Sequence, residues 1–469
     1  MTDLAGVRLS RALPGAPPAA PIRIVHLGVG NFHRAHQAWY TWHAPDAADW
    51  GIAAFTGRRP EAADALQPQD GLYTLITRAS AVDTFELIGA LSAVHPSTEH
   101  DRYLGYLRLP EVSVVTITVT EAGYLHGSDG RLNLTEDIKE DLAGLRRDPA
   151  APVRTLPAKL VAGLLARRDA GAGPLTILSC DNLPHNGRVT RSVVTDFAAE
   201  VDRSLADWVE ANIDFASSMV DRITPASTDE DRETVAAAQG YVDAAPVPTE
   251  PFSEWIVSGT FPAGRPAWEA AGAQVVADVA PYEQRKLWLL NGSHSLLAYA
   301  GSVRGHAFID QAIADPDCRH WVELFWDEAE RHLLLTGSEV SEYREALLTR
   351  YANPRIRHRL AQIAADGSTK LGVRILPALR AERASGHLPL GCVTALAAWV
   401  LHLRGHGAPV QDVDGDRFVA AAQADDAVDA VSAVLALLDP TLAADPELVD
   451  AIEAQAATLA PGADQKVSV

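Results

Sequence analysis

Six residues, Ile22-Arg23-Ile24-Val25-His26-Leu27, run directly into Gly28-Val29-Gly30-Asn31-Phe32-His33-Arg34-Ala35-His36, and a helix-like stretch follows over residues 37–43. An apolar strand, a glycine turn and a helix in that order restrict the fold more than any other feature of the chain. Such a turn lets backbone amides approach a diphosphate where the helix begins. The fingerprint for that arrangement expects a third small residue where His33 stands, so the match is GxGxxH. Arg34 partly offsets the departure, because a guanidinium in the first helical turn can pair with phosphate oxygens. An ordinary strand–helix turn is the alternative reading of the same residues.

The alternation continues downstream. Residues 51–56, 72–77, 112–120 and 175–180 read as strands, with helical stretches at 99–108 and 158–168 between them. Strands alternating with helices predict a doubly wound, largely parallel sheet of the α/β class. Residues 188–213 read as one long helix, and the proline-bearing stretch 244–251 as a connection. After Glu283 the strand signals nearly vanish, and Ala- and Leu-rich helical patterns dominate, as at 321–335, 393–403 and 427–438. The expected division is a Rossmann-like dinucleotide-binding domain over 1–280 and a mostly α-helical catalytic and substrate domain over 281–469. The tail 461–469 is expected to be loose.

Composition narrows the class. A net charge of -21 argues against nucleic acid and anionic membrane surfaces, both of which need clustered Lys and Arg. The three cysteines, Cys180, Cys318 and Cys392, are scattered, which fits a reducing cytoplasm better than a disulfide framework. The start, Met1-Thr2-Asp3-Leu4-Ala5-Gly6, shows no basic-then-apolar secretory pattern, and no apolar run reaches membrane-spanning length. The expectation is a cytoplasmic enzyme, monomeric or a small homo-oligomer, working on a small molecule.

Only five of the 40 basic residues are lysines, and one opens the run Lys286-Leu287-Trp288-Leu289-Leu290-Asn291-Gly292-Ser293-His294. Burial disfavours a charged group, so an apolar setting draws a lysine toward the free amine, which can act as a base. At about 100° per residue, Glu283, His294 and Asn291 fall at roughly 60°, 80° and 140° from Lys286, so all four can face one cleft of an α-helix. A buried helix with a snorkelling lysine is the plainer alternative. A second polar candidate, Asn182, follows the strand at 175–180, where ligands of open α/β sheets bind; capping a turn is its alternative role.

Other chemistries fit less well. No Cys/His set has the spacing of a catalytic zinc site, although His33 and His36 stand three residues apart. Tyr282 and Lys286 form a Tyr-x-x-x-Lys pair, but it lies late in the chain and lacks an upstream serine partner, so Tyr282 is read as packing.

Taken together, Gly28 to His36, Thr118-Val119-Thr120-Glu121-Ala122-Gly123-Tyr124, Ser179-Cys180-Asp181-Asn182-Leu183-Pro184-His185-Asn186-Gly187, Val220-Asp221-Arg222-Ile223-Thr224-Pro225 and Lys286 to His294 resemble the mannitol dehydrogenase family of polyol-specific long-chain dehydrogenases. The resemblance runs from about residue 24 to at least 374, and His33 is the residue that family normally has. It implies a nicotinamide-dependent, metal-independent exchange between a secondary alcohol and a ketone on an open-chain sugar. Lys286 would be the general base, Asn182 and Asn291 would donate to the reacting oxygen, His294 would orient substrate, and Glu283 would relay protons. Gly28, Gly30, Phe32, Arg34, Thr120, Glu121 and Asp221 would surround the cofactor.

Cofactor and substrate stay open at this level. After residues 51–56 comes Gly57-Arg58-Arg59-Pro60, with no acid before Glu61. Arg58 and Arg59 can hold a 2′-phosphate and favour NADP, or stack on adenine in an NAD enzyme. Arg359, Lys370 and Arg374 offer cations to a uronate carboxylate, and their surroundings resemble the fructuronate reductase branch. That leans the expectation toward D-mannonate/D-fructuronate, with D-mannitol/D-fructose, arabinitol, mannitol 1-phosphate and a non-catalytic dinucleotide sensor as alternatives.

Overall fold

The computed structural model describes residues 6–127 and 129–459. The expected loose tail at 461–469, and the start apart from Gly6, lie outside them. The chain divides between Ala280 and Pro281 into two compact units.

The first unit is built on an eight-stranded sheet: β1 (Ile22–Leu27), β2 (Gly51–Phe55), β3 (Leu91–His95), β4 (Val114–Ile117), β5 (Leu175–Ser179), β6 (Ile213–Asp221), β7 (Glu254–Ser258) and β8 (Gln274–Val275). In space the order is β3-β2-β1-β4-β5-β6-β7-β8. The first six strands are parallel and follow the order of a dinucleotide-binding sheet. β7 runs antiparallel to β6, and β8 parallel to β7. Strands β2, β4 and β5 are buried at every residue, as expected when helices cover both faces of a parallel sheet. The order reverses between β1 and β4, and a cleft opens there beyond the carboxyl ends.

Four local readings change. The strand expected at 72–77 forms as Tyr73–Arg78, but it belongs to a separate three-stranded sheet, pairing antiparallel with Asp83–Ile88 and parallel with Val247–Thr249. The third strand of the main sheet is β3 instead. Residues 244–251, read as a connection, therefore hold a strand whose partner lies far back in the chain. The strand expected over 112–120 is shorter, Val114–Ile117, and just beyond it the Thr118 hydroxyl donates to the Gly28 carbonyl at 3.0 Å. The long helix expected over 188–213 is two helices, Asn186–Val201 and Arg203–Asn212. Asp202 breaks it by adopting extended backbone and accepting from Ser204 N at 3.0 Å, a side-chain cap that competes with helix continuation. Ile213, read as the end of the helix, instead opens β6.

The second unit is helical, and its described residues hold no strand. Ser293–Val303 is buried at every position, and Leu390–Leu403 at every position but Leu390. Helices apolar on all sides form the centre of a bundle. Buried Glu328 accepts from Gly391 N at 2.7 Å and Cys392 N at 2.9 Å, satisfying two otherwise orphaned amides at the start of the second helix. Among the described residues no helix is long and apolar enough to cross a membrane.

The turn after β1 needs a glycine. Gly28 sits at φ +102°, and a Cβ there would lie 2.1 Å from the Thr118 carbonyl oxygen. Gly28→Ala is expected to cost about 3 kcal/mol of unfolding free energy from backbone strain and overpacking together. Urea denaturation checks this; an unchanged midpoint would show that β1 and β4 can separate without penalty.

Candidate functional site

In the first unit, two adjoining clefts meet at Gly28 and Val119, one of about 640 Å³ and the other of about 720 Å³. The first collects Gly28, Gly30, Phe32, Thr120, Glu121 and Asn182 along its walls. Five of the residues expected around a cofactor thus share one cleft with an expected catalytic amide, although Gly28 and Asn182 are separated by most of the domain's sequence. A Cβ on Gly30 would meet only the Gly28 carbonyl, at 3.8 Å, so the backbone above it is open to an incoming group. That open cradle fits a diphosphate held by backbone amides.

His33 explains how the turn works without a third glycine. Its ring lies flat on His26, with centroids 3.3 Å apart and planes 9° from parallel. Strand and helix therefore pack through two stacked rings where the usual fingerprint relies on a missing side chain. His26 is held by Thr116 Oγ1 at 2.9 Å and Thr118 Oγ1 at 3.0 Å. Burial lowers the His26 ring to about 3 and pushes His33 down as well, so neither adds positive charge at neutral pH. The His33 and His36 rings have separate partners. His36 bonds to the Glu254 carbonyl at 3.0 Å, while His33 is stacked against the sheet. Among the described residues no group of three or more His, Cys, Asp or Glu is arranged to hold a metal ion.

Arg34 does not face the cleft. It is buried, its Nη1 donates to the Ala245 carbonyl at 2.5 Å and its Nη2 to Asn31 Oδ1 at 2.6 Å, and its guanidinium lies 5.3 Å from the Tyr73 ring centre. The helix opened by the turn explains this: it is only Asn31–Ala35, broken at His36, and its last turn points inward. Asp221 ends β6 and is buried, while its neighbour Val220 lines the cleft.

The motif residues between these positions act as brackets. Asn31 Nδ2 donates to the Pro225 carbonyl and Ser227 Oγ, each at 3.0 Å, and Arg222 Nη1 donates to the Ala35 carbonyl at 2.5 Å. The segment around Val220 to Pro225 is thereby tied to the glycine turn. Tyr124 donates to Asp181, which joins the turn Glu121–Tyr124 to the loop after β5. Burial raises the Asp181 carboxyl to about 6. Asp181 Oδ1 also accepts from Leu183 N at 3.1 Å, a tight local turn that leaves Asn182 exposed at its tip. Turn geometry and cleft position therefore coexist at Asn182. Sequence reasoning missed His26, Thr118 and Asp181, whose importance comes from partners far away in the chain.

The second cleft follows the ends of β1 to β4, at Leu27, Thr56, Ser97 and Val119, and includes Arg58. Lys159 also lines it, buried, with Nζ donating to the Ser97 carbonyl at 2.9 Å.

In the second unit, Lys286 begins a π-helical turn, Lys286–Gly292, between the helices Ala280–Arg285 and Ser293–Val303. The expected α-helical spacing of 100° per residue therefore fails across this stretch. The i→i+5 turn is wider, and such turns frequently occur at functional sites. Donors from outside meet its carbonyls: Trp326 Nε1 reaches Leu289 O at 3.0 Å and the Tyr351 hydroxyl reaches Leu290 O at 3.1 Å. Lys286, Asn291 and Glu283 are half-buried, so the lysine is less enclosed than its apolar neighbours imply. His294 is buried against Tyr351, ring centres 4.9 Å apart, and against His358, 5.4 Å away edge to face. Tyr282 donates to Glu339 at 3.3 Å.

The three cations expected at a substrate carboxylate separate. Arg374 Nη1 lies 3.4 Å from the Asn291 carbonyl and 3.2 Å from Ser295 Oγ, beside the π turn. Lys370 donates to the Ile363 and Ala365 carbonyls, capping the helix Leu360–Ala364. Arg359 is exposed, 5.4 Å from the Phe308 ring centre.

Comparison with known proteins agrees with this arrangement. Residues 22–270 match the mannitol dehydrogenase Rossmann domain and residues 278–460 the mannitol dehydrogenase C-terminal domain. The chain is 37% identical to the D-mannonate oxidoreductase of Escherichia coli strain K12 over 82% of its own length and 80% of that protein's. The structure of Pseudomonas fluorescens mannitol 2-dehydrogenase in a ternary complex with NAD and D-mannitol superposes with a TM-score of 0.79 at 32% identity, covering 97% of this chain and 94% of that one. A D-sorbitol dehydrogenase in substrate-free form gives 0.85 at 30%, covering 97% and 98%. With both family domains matched in order along nearly the whole chain, this protein belongs to the mannitol dehydrogenase family of oxidoreductases.

Proposed function

We propose that the chain interconverts a secondary alcohol of an open-chain aldonate with the corresponding ketouronate, without a metal. The observation that carries the reading is the π turn, which offers Lys286, Asn291 and, just beyond it, His294 from one short stretch, with the Arg374 guanidinium at the Asn291 carbonyl.

In the oxidative direction the Lys286 amine takes the proton of the substrate hydroxyl. Asn182 and Asn291 donate hydrogen bonds to the oxygen as negative charge builds on it, and each such fixed donor is typically worth about 3 kcal/mol. His294 holds the neighbouring hydroxyls in place, and Glu283 passes the proton from Lys286 to solvent. When bound, the nicotinamide supplies the hydride acceptor. Gly28, Gly30, Phe32, Thr120, Glu121 and Asp221 are the residues proposed to hold it. In reduction Lys286 starts as the ammonium and returns the proton. Amide donors and a lysine replace the charge stabilisation that a metal would give, so no ion is required.

The substrate reading rests on Arg374. A guanidinium gives a carboxylate charge-assisted hydrogen bonds that a neutral ketose cannot exploit. The likeness to D-mannonate oxidoreductase supports it, while the likeness to mannitol 2-dehydrogenase favours D-mannitol/D-fructose as the second reading.

Lys286→Ala is expected to lower kcat by about three orders of magnitude, in line with loss of a general base, while cofactor affinity stays close to that of the unaltered protein. Near-normal turnover in that variant would remove Lys286 from its role. A chelator should leave the rate unchanged; loss of activity restored by a divalent ion would contradict the metal-free mechanism. Initial rates against fructuronate, tagaturonate, fructose, xylulose and fructose 6-phosphate should favour the uronates. Arg374→Ala should then raise KM about tenfold for the uronates and far less for neutral ketoses, and equal effects on both would count against a carboxylate substrate.

A further inference from the structure

We propose that this chain takes the dinucleotide phosphorylated on its adenosine 2′-hydroxyl, with Arg58 reading that phosphate at the mouth of the second cleft and Lys159 supplying a buried cation behind it. The inference rests on the dinucleotide reading above and specifies which dinucleotide.

Position comes from topology. In a sheet of this order the adenosine ribose lies beyond β2, and a cofactor with a free 2′-hydroxyl normally meets an Asp or Glu there. Here β2 is followed by Thr56, Gly57 and Arg58, all lining the cleft of about 720 Å³. Among the described residues no Asp or Glu lines that cleft, whereas Arg58, Arg154 and Lys159 do. The nearby carboxylates have protein partners, Arg154 of the cleft rim among them, and buried Asp141 accepts from Thr155 N at 2.9 Å and Thr155 Oγ1 at 2.7 Å. Glu99 accepts from His95 at 2.9 Å and Arg102 at 2.8 Å, and Glu140 pairs with Arg154 at 3.3 Å on the exposed rim. Glu61 opens the next helix, Glu61–Leu66, facing solvent.

Lys159 is the independent observation. It stands in the helix Leu156–Ala170, 9% exposed, with Nζ 5.4 Å from the Phe55 ring centre and 5.3 Å from that of Tyr103. Among the described residues its Nζ donates to the Ser97 carbonyl and no carboxylate pairs with it. A buried ammonium without a counter-ion is costly, and burial lowers its proton affinity to about 8. In a chain of net charge -21 with only five lysines, such a residue is explained by an anion arriving from outside. A 2′-phosphate would supply that charge and acceptor oxygens for both cations, with Ser97 and Thr98 at the same wall.

Calorimetric titration of the full chain with adenosine 2′,5′-bisphosphate and with adenosine 5′-monophosphate isolates the 2′-phosphate; NADPH and NADH titrations repeat the comparison on whole cofactors. The bisphosphate is expected to bind about tenfold or more tightly than the monophosphate, as charge-assisted bonds to a phosphate allow. Arg58→Ser, at an exposed position, should reduce that ratio to about threefold or less with an unchanged melting temperature, and Lys159→Met should reduce it as well. Equal or tighter binding of the monophosphate and NADH, or a ratio untouched by Arg58→Ser, would overturn the assignment while leaving the dinucleotide reading intact. Failure of all four nucleotides to bind would sink the dinucleotide reading and this inference with it.

Discussion

The backbone of Gly28 and the carbonyl of Thr118 approach so closely that no side chain fits between them. Around this contact β1 ends, β4 ends and the sheet reverses its order, so both clefts of the first unit border the same residue. Its consequences spread through hydrogen bonds. Thr118 turns out of β4 to hold Gly28 and His26, His26 carries the stacked His33, and the short helix then breaks at His36. A larger residue at position 28 would disturb strand ends, turn and cleft together.

Many motif residues that look chemical prove to be architectural. Arg34 and Arg222 bury their guanidiniums against carbonyls of the same domain, and Asn31 ties the glycine turn to the segment after β6. Tyr124 and Asp181 join two loops at the rim of the cleft. Polar side chains suit this work, because loops carry amides and carbonyls that no sheet or helix satisfies and that cannot be buried unpaired. In the second unit the π turn shows the same logic. Trp326 and Tyr351 meet its carbonyls, and the turn can thereby present Lys286 and Asn291 without being wholly buried.

Charge distribution separates the two ends of the proposed reaction. The protein is strongly acidic overall, yet among the described residues the cleft beyond β2 is lined by Arg58, Arg154 and Lys159 and by no carboxylate. Local charge rather than net charge governs recognition of a small anion at such short range, because screening removes distant contributions beyond about 8–10 Å at ordinary ionic strength. Lys159 and Lys370 also differ instructively. Both are drawn toward the neutral amine by burial, but Lys370 is satisfied by two helix-end carbonyls, while Lys159 has one carbonyl and an open cleft.

Local pattern was enough for β1, β2, β5, the helices at 37–43 and 427–438, and the loss of strands after Glu283, because strong apolar runs and glycine turns carry their meaning over a few residues. It also singled out Lys286, Asn291, His294 and Asn182 as candidates through residue type and order. The break at Asp202, the sheet to which Tyr73–Arg78 belongs, the inward turn of Arg34 and the placement of Lys159 at the second cleft were decided only in three dimensions. Each depends on a partner many residues away, and no local propensity encodes that. A sequence specifies which groups are available, whereas tertiary packing decides which of them are consumed by the protein's own backbone and which remain for a ligand.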